Sequence, residues 1–202
     1  MPSFHRDLVR GVATYALELF RAAPPLDTVY VPIGLGSGIC GVIAMRDALS
    51  PSTKVVGVVS TEAPAYALSF AAGKVVATNS ADTMADGMAV RGPDAEALAV
   101  ILKGADRIVQ VSDAEIAAAM RAYYEDTHQL TEGAGAAPLA ALTAGTRTHG
   151  GQAGRPGAER RQYRPAALLA HARRIVPPSN LAMRKSLPFS WRFQLAQATR
   201  HA

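Results

Sequence analysis

A glycine-rich loop between a short apolar run and a helix-compatible segment constrains this chain more than any other feature. Residues 29–33 read Val-Tyr-Val-Pro-Ile, and four glycines fall within residues 34–41. Glycine adopts positive φ angles and lets a ligand approach the main chain closely. The helix that follows, predicted over Gly38–Leu49, begins with unpaired N–H groups and a partial positive charge. The order of strand, loop and helix therefore predicts a binding site for a phosphate group.

Strand and helix patterns alternate along the chain. Short apolar runs predict strands at Thr28–Ile33, Lys54–Val59, Lys74–Ala77 and Arg107–Val111. Helical spacing and caps predict helices at Asp7–Ala22, Gly38–Leu49, Ala63–Ala72, Pro93–Leu102 and Asp113–Asp126, and Glu132–Ala144 is expected to hold a glycine turn and an alanine-rich helix. Ser112 and Glu115 form a capping box at the start of the fifth helix. We therefore expect an α/β fold, with a parallel sheet covered by helices.

The net charge of +5 hides two regions of opposite sign. Residues 1–145 carry ten Lys and Arg against fifteen Asp and Glu, whereas residues 146–202 carry eleven against one, Glu159. We expect an acidic domain over 1–145 and a basic, irregular tail over 146–202, in which no strand pattern recurs. Basic tails occur in nucleic-acid-binding proteins. Because this tail shows no zinc-ligand spacing and only scattered aromatic residues, no nucleic-acid partner is expected.

Cysteine content and hydropathy bear on location. Cys40 is the single cysteine, so the chain forms no internal disulfide, which suits a reducing compartment. No run approaches 18 apolar residues, and the first residues lack the pattern of a signal peptide. We expect a cytoplasmic protein that does not interact with a membrane.

The glycine loop allows three interpretations. Residues 36–41 match G-x-G-x-x-G, the dinucleotide fingerprint, which also requires an acidic residue at the end of the next strand. Here that strand runs into Ser60, and Glu62 lies two residues beyond it. A second interpretation is a tight turn whose glycines only permit close packing. The third rests on a resemblance.

Four blocks of sequence carry that resemblance. They are Gly11–Glu18 (GVATYALE), Val31–Gly38 (VPIGLGSG), Thr83–Val90 (TMADGMAV), and the pair Val111–Ile116 (VSDAEI) and Glu132–Ala137 (EGAGAA). In order and spacing they resemble the threonine/serine dehydratase group of fold type II pyridoxal-phosphate enzymes, which includes serine racemase. The similarity spans residues 2–145 and corresponds to the C-terminal half of those enzymes. It implies that this chain forms part of their parallel-sheet large domain.

The resemblance also implies a cofactor site for pyridoxal 5'-phosphate. Its phosphate would be bound by the loop residues Gly34, Leu35, Gly36, Ser37 and Gly38. The backbone at Gly87 would line the cofactor pocket, and Glu132 would lie beside the edge of the pyridine ring. An alternative role for Glu132 is that of an acidic residue at a helix start. Asp86 is expected to hold its turn through its own backbone.

Some members of the group bind a divalent metal through carboxylates just after the second strand. The matching positions here are Val59, Ala63 and Ala65. Hard cations prefer oxygen ligands, which these side chains lack. We therefore predict no metal site.

The chemistry of the group requires a residue that this sequence does not show. The family reaction converts a 3-hydroxy amino acid to a 2-oxo acid and ammonia by α,β-elimination, and needs a lysine that forms a Schiff base with the cofactor. That lysine lies before the matching region, and none of the lysines here stands in its context: Lys54, Lys74, Lys103 and Lys185. We assign no catalytic residue. We expect a truncated dehydratase-like protein that is inactive alone, derived from a homo-oligomeric enzyme, or else one subunit of a split enzyme.

The tail departs from the family in a specific way. The family continues into Ser-Gly-Gly-Asn-Ile-Asp-Arg, whose serine bonds the pyridine nitrogen, whereas residues 159–166 read Glu-Arg-Arg-Gln-Tyr-Arg-Pro-Ala. One set of codons for the family sequence, preceded by a single added base and read in the shifted frame, encodes the residues found here at 159–166. We hypothesise that the reading frame shifts between about Gly145 and Glu159, which also accounts for the arginine-rich tail.

Overall fold

The computed structural model describes residues 4–148 and 198–199. Its strands are β1 (Thr28–Pro32), β2 (Lys54–Ser60), β3 (Arg107–Val111) and β4 (Ala198–Thr199). Its α-helices are α1 (Arg6–Ala22), α2 (Ser37–Leu49), α3 (Ala65–Ala72), α4 (Ala95–Gly104), α5 (Asp113–Thr127) and α6 (Gly133–Thr148). A single 3-10 turn covers Asp86–Met88.

The sheet has the order β3-β2-β1-β4, and its first three strands are parallel. Val31 of β1 pairs with Gly57 of β2, and Val58 of β2 pairs with Val109 of β3. The central strand β2 is buried at every residue after Lys54. Burial of the whole strand is typical of a parallel sheet with helices on both faces, and the predicted α/β class is confirmed.

The core consists of two clusters, one on each face of the sheet. In the first, Val29 and Val31 of β1 pack with residues of α1, α2 and α4. In the second, Val58 and Val111 pack with the alanine-rich faces of α5 and α6. Alternate residues of β1 and β2 thus contribute to opposite clusters, as the two-residue period of a strand requires. Within the described residues, no helix is long and apolar enough to cross a membrane.

Two sequence predictions near α3 and α4 need correction. Residues 74–77 do not form a strand, because the side chain of Ser69 hydrogen-bonds both backbone groups of Val76, at 2.8 Å to its N–H and 3.2 Å to its carbonyl. The fourth helix begins at Ala95 rather than at Pro93. Asp94 caps it by accepting hydrogen bonds from two backbone N–H groups of the first turn. The predicted capping box of Ser112 and Glu115 is confirmed.

The tail contributes one strand that its sequence pattern does not predict. Thr199 of β4 pairs antiparallel with Thr28, and Ala198 pairs with Val29. An edge strand offers a row of unpaired backbone groups, and two residues can bond to it whatever their side chains are. The prediction that no strand follows Gly145 is therefore wrong at Ala198–Thr199. The proposed frame shift and the nucleic-acid interpretation fall largely on residues outside the described ones, and both stay untested.

Two helical glycines provide a test of how α1 packs on α2. Gly11 in α1 is exposed, and a Cβ added there meets nothing within 4 Å, whereas one added at Gly41 in α2 lies 3.1 Å from the backbone of Ala13. We expect Gly11→Ala to stabilise the fold by about 0.5–1 kcal/mol, because alanine loses less entropy than glycine in a helix. Gly41→Ala should destabilise it by about 1 kcal/mol or more, because α1 must move away. Urea unfolding of both variants measures the difference, and equal effects would contradict this packing.

Candidate functional site

The loop that connects β1 to α2 has a backbone that requires glycine. Gly36 has a φ angle of 103°, in the left-handed region. A Cβ at this position would lie 2.7 Å from the Cβ of Ala97 and 3.1 Å from the hydroxyl of Tyr66. Backbone conformation and lack of space both exclude a larger residue here. The turn places the first residues of α2 at the carboxyl end of β1.

The N-terminus of α2 is left without a side-chain cap. Cys40 is the first residue of α2 whose N–H is hydrogen-bonded within the described residues. It donates to the Gly36 carbonyl at 3.0 Å. Among the described residues, nothing accepts a hydrogen bond from the N–H groups of residues 37–39 or from the Ser37 hydroxyl. Unpaired amides at the start of a helix, with the positive end of its dipole, favour an anion.

Two tyrosines from other helices hold this loop, and the sequence did not reveal them. The Tyr66 hydroxyl donates to the Leu35 carbonyl at 2.7 Å and accepts from the N–H of Asp94 at 3.1 Å. The Tyr15 hydroxyl donates to the Gly38 carbonyl at 3.1 Å. Burial raises the pKa of Tyr66 to about 12 and also raises the pKa of Tyr15. Both phenols are therefore neutral donors at physiological pH.

The structure brings the loop together with the two other predicted site residues. A Cβ at Gly34 would clash with the carbonyl oxygen of Gly87. A Cβ at Gly87 would in turn lie 3.0 Å from the Cβ of Ala134 and 3.8 Å from Oε1 of Glu132. Segments about fifty residues apart in sequence thus meet at one place, and glycine at Gly34 and Gly87 permits the contact.

Glu132 and Asp86 have local backbone roles at this place. Glu132 is exposed and directly precedes α6, and its carbonyl accepts the N–H of Ala136 at 3.1 Å. It therefore occupies a helix start while its carboxylate lies near Gly87. Asp86 is exposed, and its carbonyl accepts the N–H of Ala89 at 3.0 Å, as expected for a residue that holds its turn through the backbone.

A carboxylate at the start of α5 fixes the segment that leads to Gly87. Oδ1 of Asp113 accepts from the hydroxyl of Thr83 at 2.6 Å and from that of Ser60 at 3.1 Å. Its Oδ2 accepts from the N–H of Met84 at 2.7 Å. Burial alone would raise the pKa of Asp113, but these hydrogen bonds outweigh it and lower the pKa below its ordinary value. Asp113 thus joins the end of β2 to residues 83–84.

Cys40 is a structural residue next to this loop. Its side chain is buried, and Sγ lies 3.7 Å from the carbonyl oxygen of Ala97. Burial, with a smaller contribution from the charge of Asp94, raises the pKa of the thiol to about 12. Because a thiol nucleophile acts as the thiolate, Cys40 is unsuited to that role.

The positions that carry metal ligands in some relatives of the group are apolar here. Val59, Ala63 and Ala65 are all buried. Within the described part of the chain, no three His, Cys, Asp or Glu side chains are grouped so as to hold a metal ion. The three lysines in that part are exposed, and Lys54 pairs with Asp106 at 3.7 Å. Lys185 lies outside the described residues.

The sheet and the loop together define the class of protein. In open α/β sheets, ligands bind beyond the carboxyl ends of the strands, and the capless start of α2 lies there. The fold is therefore that of an α/β protein with a glycine loop and an uncapped helix start, a type of site that favours anions. The model of the family described as pyridoxal-phosphate dependent enzyme matches residues 1–155. The chain belongs to this family, whose cofactor is pyridoxal phosphate, and the dinucleotide interpretation of the glycine loop is set aside.

Relatives with several different names match the chain. It is 37% identical over 135 residues to an L-threonine ammonia-lyase of Geobacter sulfurreducens, which covers 67% of this chain and 34% of that protein. It is 36% identical over 137 residues to a phenylserine dehydratase of Ralstonia pickettii, covering 68% and 42%. The structure of maize serine racemase superposes with a TM-score of 0.67 at 33% identity, covering 70% of this chain and 44% of that one. The chain thus spans less than half the length of these relatives.

The tie between Asp113 and residues 83–84 gives a pH-dependent prediction. Because the pKa of Asp113 is lower in the folded state, its ionised form stabilises the fold fully above the unfolded value, at about pH 4, and this contribution is lost as pH falls through the folded pKa. Asp113→Asn should lower the free energy of unfolding at pH 7 by about 1 kcal/mol. Urea unfolding should show the difference from the wild type shrinking below about pH 4.

Asp86→Asn is the matched control, because Asp86 is an exposed carboxylate in the neighbouring turn whose side chain accepts no hydrogen bond from the described residues. It should leave the unfolding free energy nearly unchanged at both pH values. A difference for Asp113→Asn that is the same at pH 7 and pH 3 would contradict a stabilising ionised carboxylate.

Proposed function

We propose that this chain supplies the phosphate-binding part of a pyridoxal-phosphate enzyme that converts a 3-hydroxy amino acid to a 2-oxo acid and ammonia. Water leaves in the α,β-elimination and is taken up again when the resulting enamine is hydrolysed. The observation that carries the proposal is the start of α2, where three backbone amides lack partners among the described residues, behind a glycine loop. The printed names of the relatives, an L-threonine ammonia-lyase and a phenylserine dehydratase, agree with a 3-hydroxy amino acid as substrate.

Each predicted site residue has a role in this proposal. The cofactor phosphate is bound by the loop residues Gly34, Leu35, Gly36, Ser37 and Gly38. The amides at the start of α2 and the Ser37 hydroxyl, which have no partner among the described residues, suit a phosphate, which accepts several hydrogen bonds at once. The backbone of Gly87 lines the cofactor pocket, and Glu132 lies at the ring edge. The contact of Gly87 with both Gly34 and the carboxylate side of Glu132 favours this arrangement.

The chain's own contribution to the reaction is binding and orientation. Bound pyridoxal phosphate supplies an electron sink for removal of the α-proton. A base must take that proton, and in the family it is the cofactor-bound lysine. The exposed lysines of the described part, one of them paired with Asp106, are poorly suited to this role. We therefore propose that the lysine comes from outside these 202 residues and that the chain alone is inactive.

Two origins of such a chain are open to test. One is truncation of a longer dehydratase, with the tail read out of frame, and the other is a separate subunit that joins a lysine-bearing partner. In both cases the working enzyme is proposed to be a cytoplasmic homo-oligomer or assembly that needs no metal. Genomic DNA upstream of the gene and through residues 145–159, read in all frames, separates the two origins.

Cofactor binding is tested with a probe that forms no Schiff base with surface lysines. We expect the full chain to bind pyridoxamine 5'-phosphate more tightly than pyridoxamine, because only the former carries the phosphate. Gly36→Ala should weaken binding of the phosphorylated probe by about tenfold or more, since the added Cβ changes the loop. Isothermal titration and thermal unfolding of the same samples measure affinity and folding.

Gly73→Ala is the matched control, because Gly73 also has a positive φ, of 65°, with nothing within 4 Å of an added Cβ. The Gly73→Ala variant introduces the same kind of backbone strain as Gly36→Ala, but at the end of α3. It should bind the phosphorylated probe as the wild type does. Equal affinities of wild type and Gly36→Ala, or of the two probes, would overturn the proposed phosphate site.

Catalysis is tested directly. The purified 202-residue chain, incubated with pyridoxal phosphate and threonine, serine or phenylserine, should form no 2-oxo acid above the background of free cofactor, because it lacks the family's lysine context. A coupled dehydrogenase assay detects the 2-oxo acid. An intact threonine ammonia-lyase serves as the positive control, and turnover by this chain would refute its inactivity.

A further inference from the structure

Two helices that are not part of the glycine loop each extend one phenol to it. Tyr66 lies in α3 and Tyr15 in α1, and they reach the Leu35 and Gly38 carbonyls respectively. The Tyr66 hydroxyl is also held by the N–H of Asp94, which donates to it at 3.1 Å. The carbonyl oxygens of Leu35 and Gly38 are thus held by one buried phenol, Tyr66, and one half-buried phenol, Tyr15.

Because a peptide group is planar, the direction of its carbonyl oxygen also fixes the direction of its N–H group. In a trans peptide the carbonyl oxygen and the following N–H point in opposite directions, and the described residues include no cis bond. When Tyr66 holds the Leu35 oxygen, the N–H of Gly36 must point away from Tyr66. When Tyr15 holds the Gly38 oxygen, the N–H of Ile39 points away from Tyr15, toward the open start of α2.

A glycine loop needs such a restraint. The peptides around Gly34 and Gly36 rotate at low cost, because glycine occupies positive and negative φ alike, whereas Gly38 already lies in the first turn of α2. A rotated peptide would present a carbonyl oxygen where an anion binds and would repel it. A buried phenol that has found its acceptor resists the rotation, because the rotation would leave the hydroxyl without a partner.

We propose that Tyr66 and Tyr15 are positioning residues that preset the phosphate-binding loop, holding its carbonyls on the buried side so that its amides face the phosphate. The inference rests on the proposed function, because it assigns the loop to a phosphate ester. Tyr66 makes the greater contribution, since its hydroxyl joins the loop to the cap of α4, whereas that of Tyr15 makes a single bond to the loop.

The test removes one oxygen atom at a time from the full chain. Tyr66→Phe should weaken binding of pyridoxamine 5'-phosphate by about fivefold to tenfold, as expected for one lost hydrogen bond, and leave binding of pyridoxamine unchanged. Tyr15→Phe should have a smaller effect of the same kind. A merely structural role would lower the unfolding temperature without changing the ratio of the two affinities, so that ratio is the deciding measurement.

Tyr123→Phe is the matched control. Tyr123 is as buried as Tyr66 but packs in the second core cluster, on α5. Its substitution removes the same hydroxyl from the interior and should leave the ratio of affinities unchanged. Amide hydrogen exchange of the ligand-free variants gives a readout that needs no cofactor. The amide of Cys40, which donates to the Gly36 carbonyl, should exchange faster in Tyr66→Phe than in the wild type, and as slowly as the wild type in Tyr123→Phe.

The outcomes separate the two proposals. If the wild type does not prefer pyridoxamine 5'-phosphate over pyridoxamine, the phosphate site is wrong and this inference falls with it. If the wild type shows the preference and Tyr66→Phe keeps the same ratio and the same exchange rates, the phosphate site stands and the positioning role is overturned. A lower ratio in Tyr66→Phe with an unchanged ratio in Tyr123→Phe supports the role.

Discussion

The close approach of Gly34 to the carbonyl of Gly87 is the contact on which the site depends. It brings the end of β1 against the turn that precedes α4, and Gly87 in turn packs on the start of α6. A side chain at either glycine would separate these elements and move the loop away from Glu132. The site therefore depends on two missing Cβ atoms: that of Gly34, which would meet the Gly87 carbonyl, and that of Gly87, which would meet Ala134 on α6.

Hydrogen bonds then fix what this contact brings together. Asp113 holds the segment before Gly87 from the carboxyl end of β2, and Tyr66 holds the loop from α3. Each bond spans about thirty residues or more of sequence, and each joins a part of the site to an element of the core. Such bonds add little net free energy individually, but they select one orientation of peptides that glycine would otherwise leave free. The sheet determines where the loop lies, and we propose that these side chains determine which of its atoms face outward.

The sequence predicts those features that local patterns encode. The glycine loop, the buried strand β2 and the capping box of Ser112 each have a short-range physical cause and are found as predicted, whereas β1 is buried only at alternate residues. The misplaced strand at 74–77 and the added strand β4 depend on partners distant in sequence, Ser69 and the free edge of β1, which no local pattern contains. The two loop tyrosines were missed for the same reason. An aromatic residue on a helix predicts burial, but the acceptor of its hydroxyl appears only in three dimensions.

Cofactor binding and catalysis place different demands on this chain. A phosphate site needs only backbone amides held in place, and we propose that residues 34–39, hydrogen-bonded by Tyr15 and Tyr66, provide them within one α/β unit. Proton transfer at the substrate needs a lysine whose pKa is set by its surroundings, and the lysines of the described part are exposed. Cofactor binding and catalysis thus depend on separable parts of the family's fold. The proposed binding of the cofactor rests on the start of α2, where three amides lack partners among the described residues, and on a loop held by contacts internal to the chain.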